Sequence, residues 1–242
     1  MTGIRSKIAG LSAEKRSLLE MRILRRRDKF VECTAIRRRT IFSPCPSSFT
    51  QWRLWFLDQL EPGNSVYNLV SAVRLEGVLD VEALEAALNA LVDRHEVLRT
   101  RFEVEDGNPV QLIAADLKVL LPVDDLGGMP EQEREAELQK RIQSERDAPF
   151  DLAQGPLLRA RLLMLERRTH VLALTLHHII SDGWSMDVLM RDLSALYGAC
   201  CQGEPSPLPA LPVQYADYTI WHRDWFQGEV LEEQLSYWRE QL

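Results

Sequence analysis

Apolar residues recur three and four positions apart across VEALEAALNALVDRH (81–95), the period of a helix with one buried face, and Asp80 stands where it can cap that helix. A second helix is predicted near Thr50–Gln59, with Trp52, Trp55, Phe56 and the following Leu60 at helical spacing for a buried face. Ser185–Tyr197 repeats the pattern through Met186, Leu189, Leu193, Leu196 and Tyr197, while the charged stretch PEQEREAELQKRIQSERDAPF (130–150) predicts a helix beginning at its proline. Ser12 can cap a helix from about Ala13 to Arg27, after which CTAIRRRTIFSPCPSS reads as a linker ending in a Pro/Ser turn. Between the helices lie extended pieces: YNLVSAVRLEG (67–77), LRTRFEV, a hairpin-like EDGNP turn, VQLIA and LKVLLPV. PLLRARLLMLERRTHVLALTLHH (156–178) predicts two strands joined at Glu166–Thr169. A proline-rich loop, EPSPLPALP, leads to a closing helical segment over 213–242, and no internal repeat is visible. Helices alternate with strands throughout, so the expected class is α/β or α+β, with one mixed sheet covered by helices.

Composition narrows this picture. Apolar residues make up 45% of the 242-residue chain and charged residues 27%, as in ordinary globular proteins. No apolar run approaches the ~20 residues of a membrane span, and the N-terminus lacks the continuous apolar core of a secretory signal. The four cysteines include an adjacent pair and no CxxC, which points away from a zinc site or a disulfide framework and toward a reducing, cytoplasmic setting. The net charge of −7 is divided: residues 1–39 hold 12 Lys/Arg against four Asp/Glu, and the remainder is strongly acidic. No aromatics interleave with the arginines, so the basic stretch reads as a solvated leader rather than a nucleic-acid or membrane partner.

The chemistry concentrates in TLHHIISDGWS (175–185). Neighbouring residues on a strand point to opposite faces, so His177 and His178 cannot jointly hold a metal, and no third His or Cys stands at ligand spacing. No G-x-S-x-G elbow supports a serine hydrolase. One histidine can act as general base toward an amine or hydroxyl. Asp182 can pair with an arginine to fix the loop, and Gly183 permits a tight backbone path. A His-His pair closing an apolar strand is also an ordinary structural ending, and the residues alone leave both readings open.

HHIISDGWS resembles the HHxxxDG core motif of condensation domains of nonribosomal peptide synthetases. Three further segments match that family in order. SFTQWRLWFL (Ser48–Leu57) is similar to S-x-A-Q-x-R-L-W-x-L, with Thr50 replacing Ala. RHEVLRTRF (Arg94–Phe102) matches R-H-E-x-L-R-T-x-F, and YADYTIWHR (Tyr215–Arg223) resembles Y-x-D-Y-A-x-W, with Thr219 replacing Ala. The leader GLSAEKRSLLEMRILRR is similar to the linker before such domains.

The resemblance implies a chloramphenicol-acetyltransferase-like fold, two such lobes forming a V around a tunnel. Donor and acceptor enter from opposite ends as thioesters on the 4'-phosphopantetheine arms of carrier proteins; the acceptor amine attacks the donor thioester, with no metal and no bound cofactor. His178 would be the active-site base or would orient the amine. His177 would be structural. Asp182 would pair with Arg99 or, alternatively, Arg94, and Gly183 would line the tunnel. Trp184, Ser185, Tyr215 and Trp221 stand between tunnel lining and packing, with Tyr215, Asp217, Tyr218 and Trp221 leaning to packing and Trp52, Trp55 and Phe56 read as core. D-G-W-S is similar to condensation rather than epimerisation domains, and LEPGNSVYNL and EVLEEQLSYWREQL are most similar to the subtype joining two L-residues. The expected organisation is a basic helical leader and linker over 1–46 and a first lobe over 47–242, stopping before the second lobe. That arrangement is expected of a megasynthase fragment, a broken reading frame or a half-domain with another role. Its partners would be carrier domains, an adjacent adenylation domain and the second lobe. The alternatives are a non-catalytic half-domain that docks carriers or dimerises, and an epimerising or ester-forming relative.

Overall fold

The computed structural model describes residues 35–40 and 44–242, so the helix expected over Ala13–Arg27 lies outside the described residues. The chain divides into two compact units, Met1–Arg37 with Asp224–Leu242, and Arg38–Arg223. The second of these holds all the strands among the described residues.

Its main sheet is built from β2 (Asn68–Glu76), β5 (Val123–Asp125), β6 (Leu158–Glu166) and β7 (Thr169–His177), in the order β2-β7-β6-β5. β2, β7 and β6 are antiparallel and β5 joins β6 in parallel, which makes the sheet mixed. Along β6 and β7 the side chains alternate between two apolar clusters. Leu158, Ala160, Leu162, Leu172, Leu174 and Leu176 join one, with α2 (Val81–Arg94) and α4 (Gly183–Gln202); Leu163, Leu165 and Val171 join the other, with Leu138 of α3 (Glu131–Asp147). With helices on both faces, all of β7 beyond Thr169 is buried, which explains why it reads as a continuous apolar run.

A second, three-stranded antiparallel sheet pairs β1 (Cys45–Pro46), β4 (Asn108–Ile113) and β3 (Thr100–Glu105) in the order β1-β4-β3. The sequence pattern predicts one sheet; the hairpin over Thr100–Ile113 instead takes β1 as its other neighbour. β1 ends at Pro46, and the compact unit that holds it begins at Arg38.

Three other expectations change. The stretch Leu117–Val123 is extended, with Val119 and Leu121 inward and Leu120 outward, but only Val123 enters a strand. Its backbone is bonded instead by α2 side chains: Asn89 accepts from Val119 N (2.9 Å) and donates to Val119 O (3.1 Å), and Glu85 accepts from Leu121 N (3.0 Å). The closing helical segment is two helices, α5 (Tyr215–Trp225) and α6 (Glu229–Gln241), separated at Gly228, whose φ of 58° breaks a right-handed helix. In α1 (Phe49–Leu60) the buried side chains are Gln51 and Leu54, and Trp55 packs partly buried on the core. That orientation leaves Trp52 and Phe56 on the outer face, stacked on each other at 5.5 Å and exposed, not in the core.

Candidate active site

The histidine pair lies where β7 ends. The register runs to Asn68↔His177, and one more rung follows, His178 N donating to Tyr67 O at 2.8 Å. The strand geometry therefore persists long enough to send the two rings to opposite faces. His177 is 2% exposed, its ring beside Tyr67 and edge-on to Phe150, and its Nδ1 accepts from Ile179 N at 3.1 Å. Burial, and then the nearby charge of His178, lower its pKa to about 4, so the ring is neutral at physiological pH.

His178 is exposed and lines a cleft of about 500 Å³. Its Nδ1 lies 2.7 Å from Ser181 O. A carbonyl oxygen only accepts, so Nδ1 carries the proton and the Nε2 lone pair is the basic site. Ser48 starts α1 through a capping box, accepting from Gln51 N (3.1 Å) while Gln51 Oε1 accepts from Ser48 N (2.9 Å). The same Gln51 donates from Nε2 to Ile179 O (3.3 Å), tying α1 to the loop after the histidines. Sequence reasoning missed this role, although the S-x-x-Q spacing was its visible signal.

Asp182 caps α4 rather than pairing with an arginine. Its carboxylate accepts from Ser185 N (2.8 Å) and Ser185 Oγ (2.6 Å), which lower its pKa with help from His178 and against slight burial. Both expected arginines are engaged elsewhere: Arg94 Nε reaches Asp192 at 3.0 Å, and Arg99 bonds Ala114 O and lies near Glu96. The helix begins at Gly183, two residues before the expected Ser185, which turns Asp182 into its cap. Gly183 is not among the cleft residues; a Cβ there would meet nothing within 4 Å, and its φ needs no glycine.

Trp184, Ser185 and Tyr215 all line the cleft. Trp184 is 81% exposed at its rim. Tyr215 hydrogen-bonds Ser48 Oγ (3.0 Å) and meets Tyr218 at 5.6 Å. Trp221 lies tilted against Tyr218 and stacks on His222 along α5, and is not a cleft residue. The wall facing His178 includes His95, which sequence reasoning passed over. Its Nε2 lies 3.0 Å from the buried Asp192. Burial outweighs that carboxylate and lowers the His95 pKa, so at neutral pH the contact is a hydrogen bond from a neutral ring, not an ion pair. Apolar side chains such as Leu54, Val97, Ile180 and Val213 complete the cleft.

The sequence model of the Condensation domain matches residues 44–242. A linear gramicidin synthase of Brevibacillus parabrevis is 51% identical over 197 residues, 81% of this chain and 4% of that protein. Phosphinothricin tripeptide synthetase PhsC of Streptomyces viridochromogenes is 43% identical over 242 residues, all of this chain and 22% of that one. Among solved structures, the X-domain from teicoplanin biosynthesis is 33% identical with a TM-score of 0.74, over 85% of this chain and 45% of that one. The first condensation domain of the calcium-dependent antibiotic synthetase, in complex with a substrate analogue, is 26% identical at a TM-score of 0.74, over 81% and 47%. The chain thus spans less than half of these solved neighbours and a small part of the curated relatives.

Proposed function

The chain belongs to the condensation-domain family of nonribosomal peptide synthetases, with the chloramphenicol-acetyltransferase-like fold, and from that premise we propose that its cleft forms amide bonds between two carrier-bound thioesters. The observation that carries this reading is His178, its Nδ1–H clamped by Ser181 O so that Nε2 is the basic nitrogen beside an apolar cleft.

The donor is an acyl or peptidyl thioester and the acceptor an amino acid thioester, each on the phosphopantetheine arm of a carrier domain. Nε2 accepts a hydrogen bond from the acceptor α-amine and so aims the amine's lone pair at the donor carbonyl. The C–N bond forms, the C–S bond breaks, and the amine proton passes through Nε2 to the departing thiolate. Gln51 and the Asp182 cap hold the loop between them. No cofactor is needed for this exchange, because the thioester is already activated. Less than half of the solved neighbours' length is matched, and the reading gives the opposite wall of the tunnel to a second lobe, with an adenylation domain loading the acceptor carrier.

The test is intact-mass detection of the condensed product on the acceptor carrier, using this lobe within a complete condensation domain. His178→Ala should reduce the rate by about 10²–10⁴ with the fold intact; a folded variant of undiminished rate would remove His178 from the reaction. A second reading, docking without turnover, draws on a solved neighbour that is an X-domain in complex with OxyB; carrier capture with no product in any arm favours it. An epimerised or ester product would mark the other relatives of the family.

A further inference from the structure

Arg39 belongs by sequence to the basic leader, yet its side chain is 4% exposed. Its Nη1 lies 2.9 Å from Asp217 Oδ1 and its Nη2 2.5 Å from Glu96 Oε2, while its backbone N–H donates to Asp217 Oδ1 at 3.1 Å. The two carboxylates belong to different walls of the cleft. Glu96 stands between His95 and Val97, both cleft residues; Asp217 stands between Tyr215 and Tyr218, also both cleft residues. Gln214 makes a parallel tie, donating to Arg94 O (2.9 Å) and accepting from Glu96 N (3.2 Å).

We infer that Arg39 is a positioning residue of the cleft: from behind, its guanidinium fastens the His95–Leu98 wall to the Tyr215–Tyr218 wall and so sets the width of the space that His178 faces. A guanidinium suits the task because its planar fork serves two carboxylates at once, whereas an ammonium is a point charge. Burial works against the charge of Arg39, and the pull of Glu96 and Asp217 exceeds it, raising its pKa. Without Arg39, Asp217 would lose its guanidinium and Glu96 would keep only the more distant Arg99 at 3.8 Å, and the repulsion between the two carboxylates acts along the line that separates the walls.

The inference rests on the proposed function only for its kinetic arm. Hydrogen exchange is followed by mass spectrometry on the full chain, comparing the parent with Arg39→Lys and Arg39→Ala. Exchange over 95–98 and 213–218 should rise together by about tenfold or more, with the amides of β6, β7 and α2 unchanged. Unchanged exchange in both segments of a folded variant would overturn the proposal, as would an even rise across Arg38–Arg223, the mark of stability alone. Should Arg39→Ala not fold, Arg39→Lys decides. In amide formation with aminoacyl thioesters of N-acetylcysteamine as acceptors, the complete domain carrying Arg39→Lys should show a KM raised about fivefold or more with kcat per folded molecule nearly unchanged. An unchanged KM would overturn it. A parent that forms no amide would sink the functional reading and leave the exchange result to decide this one.

Discussion

A ring sealed between Tyr67, Phe150 and the sheet, as His177 is, resists protonation, and its pKa of about 4 has a consequence for stability. The unfolded histidine titrates near 6.5, so between the two values the unfolded chain takes up a proton that the folded chain refuses. Stability is complete above pH 6.5 and falls as the pH drops toward 4, by about 3 kcal/mol from this residue. Urea unfolding at about pH 7 and about pH 5 should reveal the loss, and His177→Gln should flatten the difference. His95, whose pKa burial also lowers, leaves a remainder of the same sign. At this scale the sequence was partly legible. Strand alternation separated the faces of His177 and His178, one buried and one at the cleft, because it depends only on neighbouring residues. The partner of Asp182 was misread because the helix was expected to begin at Ser185; with the start moved to Gly183, the same acid is a cap. Arg39 was hidden among eleven other basic residues of the leader region, since burial of a single arginine is decided by Glu96 and Asp217, far away in the chain.

Among the elements, the segment Leu117–Leu121 has the alternation of a strand, yet its backbone partners are side chains of α2. Periodicity reports which faces are buried and says nothing of who bonds the backbone. Asn89→Leu should therefore cost about 1–3 kcal/mol, because it leaves Val119 N and O without their partners. Denaturant unfolding together with accelerated exchange at Val119 checks this; an unaltered stability would mean that water replaces Asn89 there. The aromatic stretch of α1 carries the same lesson. Helical spacing identified the helix, but the polar Gln51 took the inward face with Leu54, because it bonds both Gln111 (3.3 Å) and Ile179 O. Trp52 and Phe56 were left outside.

For the whole molecule, the mixture of strands and helices was legible, and the order β2-β7-β6-β5 was not. It joins segments about a hundred residues apart, and local patterns do not encode such pairings. The same holds for the cleft. Its members come from α1, the turn before β3, the loop after β7, α4, the segment before α5 and the start of α5, and only the four family motifs brought most of these segments together in advance. Gly183 belongs to this scale as well. Within the chain an added methyl touches nothing, and alanine is the better helix former, so Gly183→Ala should raise the thermal stability by about 0.4–1 kcal/mol. The position then works as a depth gauge. A complete domain that gains stability from this substitution but condenses more slowly would be reporting how close a bound substrate comes to the helix start beside His178.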